Sequence, residues 1–351
     1  MGDVIKILFD SQTYDRQRFG GISRMFVDIY NELNKDKGFN ASFSVEKTRN
    51  VHLSGIKPFE EGYIENMPYS IKKLKESDFD VFYPTFFNSY FLEYLNNKPF
   101  VMSVHDMIPE IYPEYFQKDN IQIIGKRELV KYASAIEVPT NTTKKDLIRI
   151  LNVQEDKIHV IGRGLTDGFG DNASDNPIVD FEYILYVGRR GAYKRFNLFV
   201  KHIKPYLDRN KNINVFCTGY GFDENDYKVI NEYGLSERFY NSYVDDAQLA
   251  SLYKFAKCFV YPSEYEGFGI PILEAYKMGC PVLLNNNECF REVTFGKGCY
   301  FNLKEDKSDL SDKLEFVTVD NDYTRLRDEI LSKYNWKNSV NKLKYVFRKV
   351  Q

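Results

Sequence analysis

The chain has 351 residues, 43% of them hydrophobic, with a formal charge of −2 and a pI near 6.2. That length allows two domains with full cores, because single cores seldom grow beyond about 250–300 residues. The charge balance offers no electrostatic footprint for nucleic acid, and no apolar run approaches the length of a membrane span.

The opening, Met1-Gly2-Asp3-Val4-Ile5-Lys6, has acid and base where a signal peptide would have its apolar region. Cys217, Cys258, Cys280, Cys289 and Cys299 are odd in number and lack Cys-x-x-Cys spacing, which reads as reduced thiols in a cytoplasmic protein. Peripheral attachment to a membrane surface stays open. The 28 Phe and 27 Tyr either mark carbohydrate contacts or reflect compositional bias.

Residues 4–9 read as a buried first strand, and Ile22, Met25, Phe26, Ile29, Tyr30 and Leu33 recur at the spacing of one helix face. The polar loop between them ends in Gly20-Gly21. A strand, a glycine loop and a helix open a nucleotide-binding α/β domain, although a plain turn would look the same. The loop is too long for a dinucleotide fingerprint, so an NAD site is disfavoured.

Segments 39–45, 80–83, 100–104 and 135–138 read as further short strands separated by helices or loops, an alternation that predicts a parallel sheet covered on both faces. Asp78-Phe79-Asp80 has the form of a metal-binding Asp-x-Asp. It lies just before a strand and far from any phosphate motif, so it is read as solvated, and no metal is predicted. Ser103-Val104-His105-Asp106-Met107-Ile108-Pro109 follows a strand at its carboxyl end, where open parallel sheets place ligands. His52, His159 and His202 lack metal-ligand spacing.

Segment 157–161 reads as the last strand of the first domain, and 162–177 has the Gly, Asp and Asn content of a linker. The second domain opens with Tyr183-Ile184-Leu185-Tyr186-Val187-Gly188-Arg189-Arg190-Gly191-Ala192-Tyr193-Lys194. The basic loop is either merely solvated or a place where fixed cations stabilise a departing diphosphate without a metal. Segments 214–217 and 239–244 read as strands, the second followed by a capped helix.

A strand at 258–261 runs into Pro262-Ser263-Glu264-Tyr265-Glu266-Gly267-Phe268-Gly269-Ile270-Pro271, where proline opens a helix that stops at Gly279. Two glycines let a ligand approach the backbone, and the helix N-terminus favours a phosphate. Glu266 and Glu274 flank the turn. A carboxylate suits the vicinal hydroxyls of a sugar or ribose. Taken singly, Glu274 in the first turn could merely compensate the helix dipole, and Glu266 could be a solvated loop charge.

The whole string resembles the signature of the family 4 retaining glycosyltransferases, in which two glutamates bracket a Gly-Phe-Gly turn. Met278-Gly279-Cys280-Pro281-Val282 is similar to that family's exit into the next strand. The resemblance runs across nearly the full length and implies an α/β fold with two Rossmann-like parallel-sheet domains facing a central cleft, the GT-B arrangement. It implies an acceptor-side domain at 1–165, a linker at 166–180, a donor-side domain at 181–335 and a helix at 336–351 crossing back to the first domain. Tyr334-Asn335-Trp336 resembles the family's aromatic lead into that helix.

Residue by residue, the resemblance assigns Glu266, His105, Lys194 and Arg189 to catalysis. It assigns Gly20, Gly21, Asp106, Gly188, Arg190, Tyr243, Val244, Gly267, Phe268, Gly269, Ile270 and Glu274 to the donor. His105 would contact the transferred sugar, Glu266 the sugar hydroxyls and Glu274 the ribose. Arg189, Lys194 and the 267–270 turn would hold the phosphates, and the turn at Tyr243 and Val244 the base. Arg163 departs from the pattern, standing before Gly164 where the family often has Asn.

The implied activity is retaining transfer of a hexose from a nucleotide-diphosphate sugar, GDP-mannose favoured over a UDP-sugar, to a saccharide or lipid-linked saccharide acceptor in cell-surface polysaccharide synthesis. The nucleotide sugar would be a co-substrate, with no cofactor and no metal, and the leaving phosphate itself would take the acceptor proton. Aromatic-rich loops at 45–69 and 84–97 would build the acceptor pocket. A nucleotide-sugar epimerase of the same architecture would need paired acid and base groups, which are not found. A non-catalytic nucleotide-sugar binding protein would have no reason to keep the charged residues together.

Overall fold

The computed structural model describes residues 4–62, 64–117, 119–317 and 321–351. The chain divides into two units, Met1–Thr166 with Asn335–Gln351, and Asp167–Tyr334. In the first unit the strands are β1 (Ile5–Phe9), β2 (Phe39–Phe43), β3 (Val81–Tyr83), β4 (Val101–Ser103), β5 (Ala135–Val138) and β6 (Ile158–Val160). They form two parallel sheets, β2-β1-β3 and β4-β5-β6, and a parallel bridge from Phe82 to Phe100 connects them. Successive side chains point to opposite faces of a strand. Phe9, Val81 and Tyr83 therefore enter one core, while Leu8 and Phe82 enter the other. Burial on both faces explains why these strands read as near-continuous apolar runs.

The Gly21–Asn34 helix presents Met25, Phe26, Ile29 and Leu33 to the first of those cores. Packed beside it, the Trp336–Val350 helix contributes Trp336, Val340, Leu343, Val346 and Phe347 to the same core, with the Phe347 ring 5.5 Å from that of Tyr83. Asn335 caps that helix by accepting from the Asn338 N–H at 2.9 Å. Gly164 lies against the start of this helix, where an added Cβ would be 2.3 Å from the Trp336 nitrogen.

Several expectations change on inspection. The polar loop before Gly20-Gly21 contains a short helix, Gln12–Arg16, with Gln12, Thr13 and Tyr14 buried. Phe86, Phe87 and Phe91 of the aromatic-rich 84–97 stretch belong to the second of those cores. The Asp78 side chain is 75% accessible, solvated as read, and pairs with the Lys6 ammonium, while Asp80 accepts from the Lys6 backbone N–H at 2.7 Å. The stretch read as a linker divides: Thr166 donates to Asp28 at 2.8 Å within the first unit, whereas Phe169 is buried and the Ser174 N–H donates to Ser251 Oγ at 2.8 Å within the second.

The second unit is one six-stranded sheet built from β7 (Glu182–Val187), β8 (Ile213–Thr218), β9 (Phe239–Ser242), β10 (Cys258–Tyr261), β11 (Val282–Asn285) and β12 (Cys299–Phe301). Its order is β12-β11-β10-β7-β8-β9, with every pairing parallel. Strand order reverses between β7 and β10. Ligands of open parallel sheets bind at such a point, outside the carboxyl ends of the strands. The loops after β7 and β10 therefore occupy the position that matters most for function.

One glycine gives a direct test of packing in the first unit. Gly125 lies inside the Ile121–Tyr132 helix, where alanine ordinarily stabilises by about 0.5–1 kcal/mol. An added Cβ would stand 1.9 Å from the Phe87 carbonyl oxygen, so strain reverses the sign. Gly125→Ala is expected to destabilise the protein, by about 1–3 kcal/mol as overpacking does. A lowered urea midpoint checks this, and a raised one contradicts it.

Candidate functional site

In the second unit β7 is followed by Gly188, whose φ of 108° a side-chain-bearing residue rarely adopts. The chain then runs through Arg189 to Lys194 before the Phe196–Arg209 helix. Beside it, β10 runs into the 262–269 loop and the Ile270–Lys277 helix. A backbone hydrogen bond from Glu264 N–H to the Tyr193 carbonyl, 2.8 Å, ties the two loops together. Lys194 meets Glu266 in an ion pair, and only 16% and 11% of those side chains remain accessible. The Lys194 ammonium also lies 5.7 Å from the centre of the Tyr261 ring. Burial, followed by the Glu266 charge, raises the Tyr261 phenol well above its ordinary value, which keeps it protonated beside that carboxylate.

The turn itself is backbone. Gly269 has φ 95°, and a Cβ there would come within 3.1 Å of Phe290 and 3.2 Å of Ile272. Both the conformation and the space therefore require glycine. No side chain caps the helix that follows, and Pro271 lies in its first turn. Phe268 is buried with its ring 5.1 Å from that of Tyr334, which leaves Gly267, Phe268, Gly269 and Ile270 to act through main-chain groups.

Glu274 is the fifth residue of the helix, just past its first turn, so dipole compensation is not its role. It is buried and accepts a hydrogen bond from Tyr253 Oη at 3.0 Å. The Tyr253 phenol is raised well above its usual value by burial and then by the Glu274 charge, so it stays a donor.

The two arginines separate. Arg189 is exposed, with its guanidinium 5.7 Å from the Tyr220 ring centre, and it keeps an accessible cation beside the turn at Gly188. Arg190, expected on the donor side, is turned into the fold through Nε and Nη2. Its guanidinium is buried, donates from Nε to Asp226 at 2.7 Å and binds the carbonyls of Tyr220 and Gly221. A charge held this way stabilises the loop after β8. Tyr243 and Val244 follow β9, at the carboxyl edge but two strands from β7; Tyr243 is 63% exposed and Val244 partly buried.

In the first unit His105 follows β4, beside the Gly21–Asn34 helix; its ring is edge-on to Phe26 at 6.1 Å. Gly20 precedes that helix in extended conformation, where a Cβ would press within 2.5 Å of the end of the Gln17 side chain, whereas a Cβ on Gly21 would meet open space. Asp106 Oδ1 accepts from the Ile108 N–H at 2.9 Å, and its carbonyl accepts from Lys126, which is itself buried against Glu110 at 2.9 Å. Burial, then the charges of Arg163 and Lys126, hold the His105 imidazole well below the usual histidine range, so the ring is neutral.

Two residues that the sequence reading did not assign lie beneath it. Arg163 is 4% exposed and pairs with Glu137, 0% exposed, at 2.9 Å. An isolated buried Glu has no sequence signature beyond its place in an apolar strand. Asp10, at the carboxyl end of β1, is likewise fully buried, and accepts from the Thr85 N–H at 2.8 Å and the Gln12 side chain at 2.6 Å.

Residues 19–167 match the family model described as Glycosyltransferase Family 4, and residues 171–330 match that described as Glycosyl transferases group 1. The chain belongs to glycosyltransferase family 4. Among relatives of the chain, O-antigen chain mannosyltransferase B of Escherichia coli is 29% identical over 213 residues, covering 56% of each chain. O-antigen chain mannosyltransferase RfbU of Salmonella typhimurium is 28% identical over 211 residues, covering 59% of this chain and 58% of its own. The chain thus spans just over half the length of these curated relatives. The structure of Anabaena HepE in complex with UDP and glucose superposes with a TM-score of 0.76 at 15% identity, covering 98% of this chain and all of that one, a likeness of fold.

The geometry predicts opposite behaviour for the neighbouring arginines. Arg190→Met strands a buried Asp226 and is expected to lower unfolding stability by about 3 kcal/mol, whereas Arg189→Ala should stay within about 0.5 kcal/mol of the parent. Urea denaturation of both variants checks this, and equal midpoints would contradict the assignment.

Proposed function

We propose that this glycosyltransferase transfers a hexose from a nucleotide-diphosphate sugar to a saccharide or lipid-linked saccharide acceptor, in the synthesis of a cell-surface polysaccharide. The observation that carries the reading is the convergence of Lys194, Glu266 and the uncapped Ile270–Lys277 helix where β7 and β10 end side by side. A diphosphate leaving group gains charge as the glycosidic bond breaks. Lys194, Arg189 and the main-chain groups of the 267–270 turn would meet that charge, and no metal is then needed.

In this reading Glu266 accepts from sugar hydroxyls when the donor displaces it from Lys194, and Glu274, oriented by Tyr253, accepts from the ribose. His105 donates to a sugar hydroxyl. The donor is favoured as GDP-mannose because both relatives described above are mannosyltransferases by name, with a UDP-sugar as the alternative. Transfer with retention follows the family resemblance: acceptor attack and phosphate departure share one face of the sugar, and the departing phosphate oxygen takes the acceptor proton.

The experiment is incubation of purified protein with a panel of nucleotide sugars, reading thermal stabilisation and released nucleotide. One donor should raise the melting temperature and release its nucleoside diphosphate, undiminished by EDTA. Glu266→Ala and Lys194→Ala should each cut transfer at least about 100-fold while leaving the far-UV circular dichroism unchanged. Full activity in either variant removes its role, and loss of activity in EDTA removes the metal-free mechanism.

A further inference from the structure

Beneath His105 lies a buried chain of donors aimed at one of its two ring nitrogens. Ser103 Oγ is 3.1 Å from His105 Nδ1, and Arg163 Nη2 is 3.4 Å from the same atom. Arg163 Nη2 also lies 3.4 Å from Ser103 Oγ. A guanidinium is a donor only and does not lose its proton in proteins. Facing the serine oxygen at 3.4 Å with donors only, it leaves the hydroxyl proton free to point at Nδ1. At 3.4 Å the direct Arg163 contact is long for a hydrogen bond, so Ser103 supplies the directional bond and Arg163 the charge.

The guanidinium cannot swing away. Its Nη1 donates to Glu137 Oε2 and to the Gly162 carbonyl, each at 2.9 Å, and Glu137 Oε1 is held by Tyr83 Oη at 2.9 Å. Arg163 and Glu137 are both buried, whereas His105 remains partly accessible. Among the described residues, the hydrogen bonds of the ring all fall on Nδ1.

We propose that Arg163 is a positioning residue: with Ser103 it keeps Nδ1 of His105 an acceptor, so the single imidazole proton sits on Nε2 and is presented as a donor to a substrate hydroxyl. A neutral imidazole has one N–H, so fixing the acceptor nitrogen also fixes the donor. The functional half of the inference rests on the reading of His105 as a sugar-hydroxyl donor; the tautomer itself does not. It also gives a role to Arg163, where the family often has Asn. A side-chain amide could donate to the serine, but it would bring no positive charge to repel a proton from Nδ1.

The test is two-bond 1H–15N correlation of the imidazoles in full-length protein labelled with 15N-histidine. The chain has only four histidines, and His105→Asn identifies the resonance. Without any nucleotide sugar, His105 should show a pyridine-like Nδ1 and a protonated, pyrrole-like Nε2. Arg163→Met should move both nitrogens towards averaged positions. Because that change leaves Glu137 buried without a partner, Arg163→Met/Glu137→Gln is made alongside it; the introduced amide oxygen still accepts from Tyr83 and no buried charge is left. Arg163→Lys should restore the parent pattern.

A protonated Nδ1 in the parent, or an unchanged spectrum in the double variant, overturns the proposal. With the donor from the panel, the double variant should lose transfer several-fold in kcat with little change in KM. An unchanged kcat despite an averaged tautomer overturns the positioning role. If no nucleotide sugar supports transfer by the parent protein, the proposed function fails, while the spectrum still decides the tautomer.

Discussion

The meeting of Lys194 with Glu266 depends on where two adjacent parallel strands stop. β7 and β10 are hydrogen-bonded neighbours at the point where strand order reverses, so their loops leave the sheet together. An ion pair this sheltered has little water to screen it, and each member would be costly to leave alone. A ligand that replaces one partner must therefore bring matching charge or hydroxyls. A diphosphate sugar brings both, anionic oxygen for the lysine and hydroxyls for the carboxylate. The same requirement explains the flanking apparatus: Tyr253 directs Glu274, Tyr261 stays protonated beside Glu266, and Gly269 keeps the turn tight.

The first unit solves a related problem differently. Its polar groups at the carboxyl edge are buried more deeply, and each has been given partners. Asp10 takes donors from Thr85 and Gln12, Lys126 pairs with Glu110, and Arg163 pairs with Glu137. Buried polar groups without partners would cost about 1–3 kcal/mol apiece, so such networks hold loops in one arrangement. His105 inherits its surroundings from them.

Much of this could be read from the chain because it is written in short-range patterns. The 135–138 and 258–261 strands appear with the limits read for them, since both are buried on two faces and bounded by polar or turn residues. The proline and glycine around the 270–277 helix located it nearly as well. Long-range pairings left no such trace. Nothing adjacent in sequence separates Arg190 from Arg189; Asp226, in the helix after β8, and the carbonyls of Tyr220 and Gly221 draw one inward. Glu137 looks like a strand interruption until Arg163 and Tyr83 are found beside it. Glu274 lies just past the first turn, where the sequence puts it inside, because a proline marks the start of a helix only to within a residue or two.

The return of residues 336–350 to the first core has a consequence for how the molecule is made. Phe9, Phe26 and Tyr83 are synthesised long before Val340, Leu343 and Phe347, which finish covering the same side of the sheet. A ribosome adding about 5–20 residues per second needs many seconds to span that gap. During this interval the amino-terminal sheet has an uncovered aromatic flank, while the intervening unit can fold as soon as it emerges. Newly made chains thus expose an apolar flank until residues 340–347 have emerged, and that flank is where a chaperone would find its binding surface.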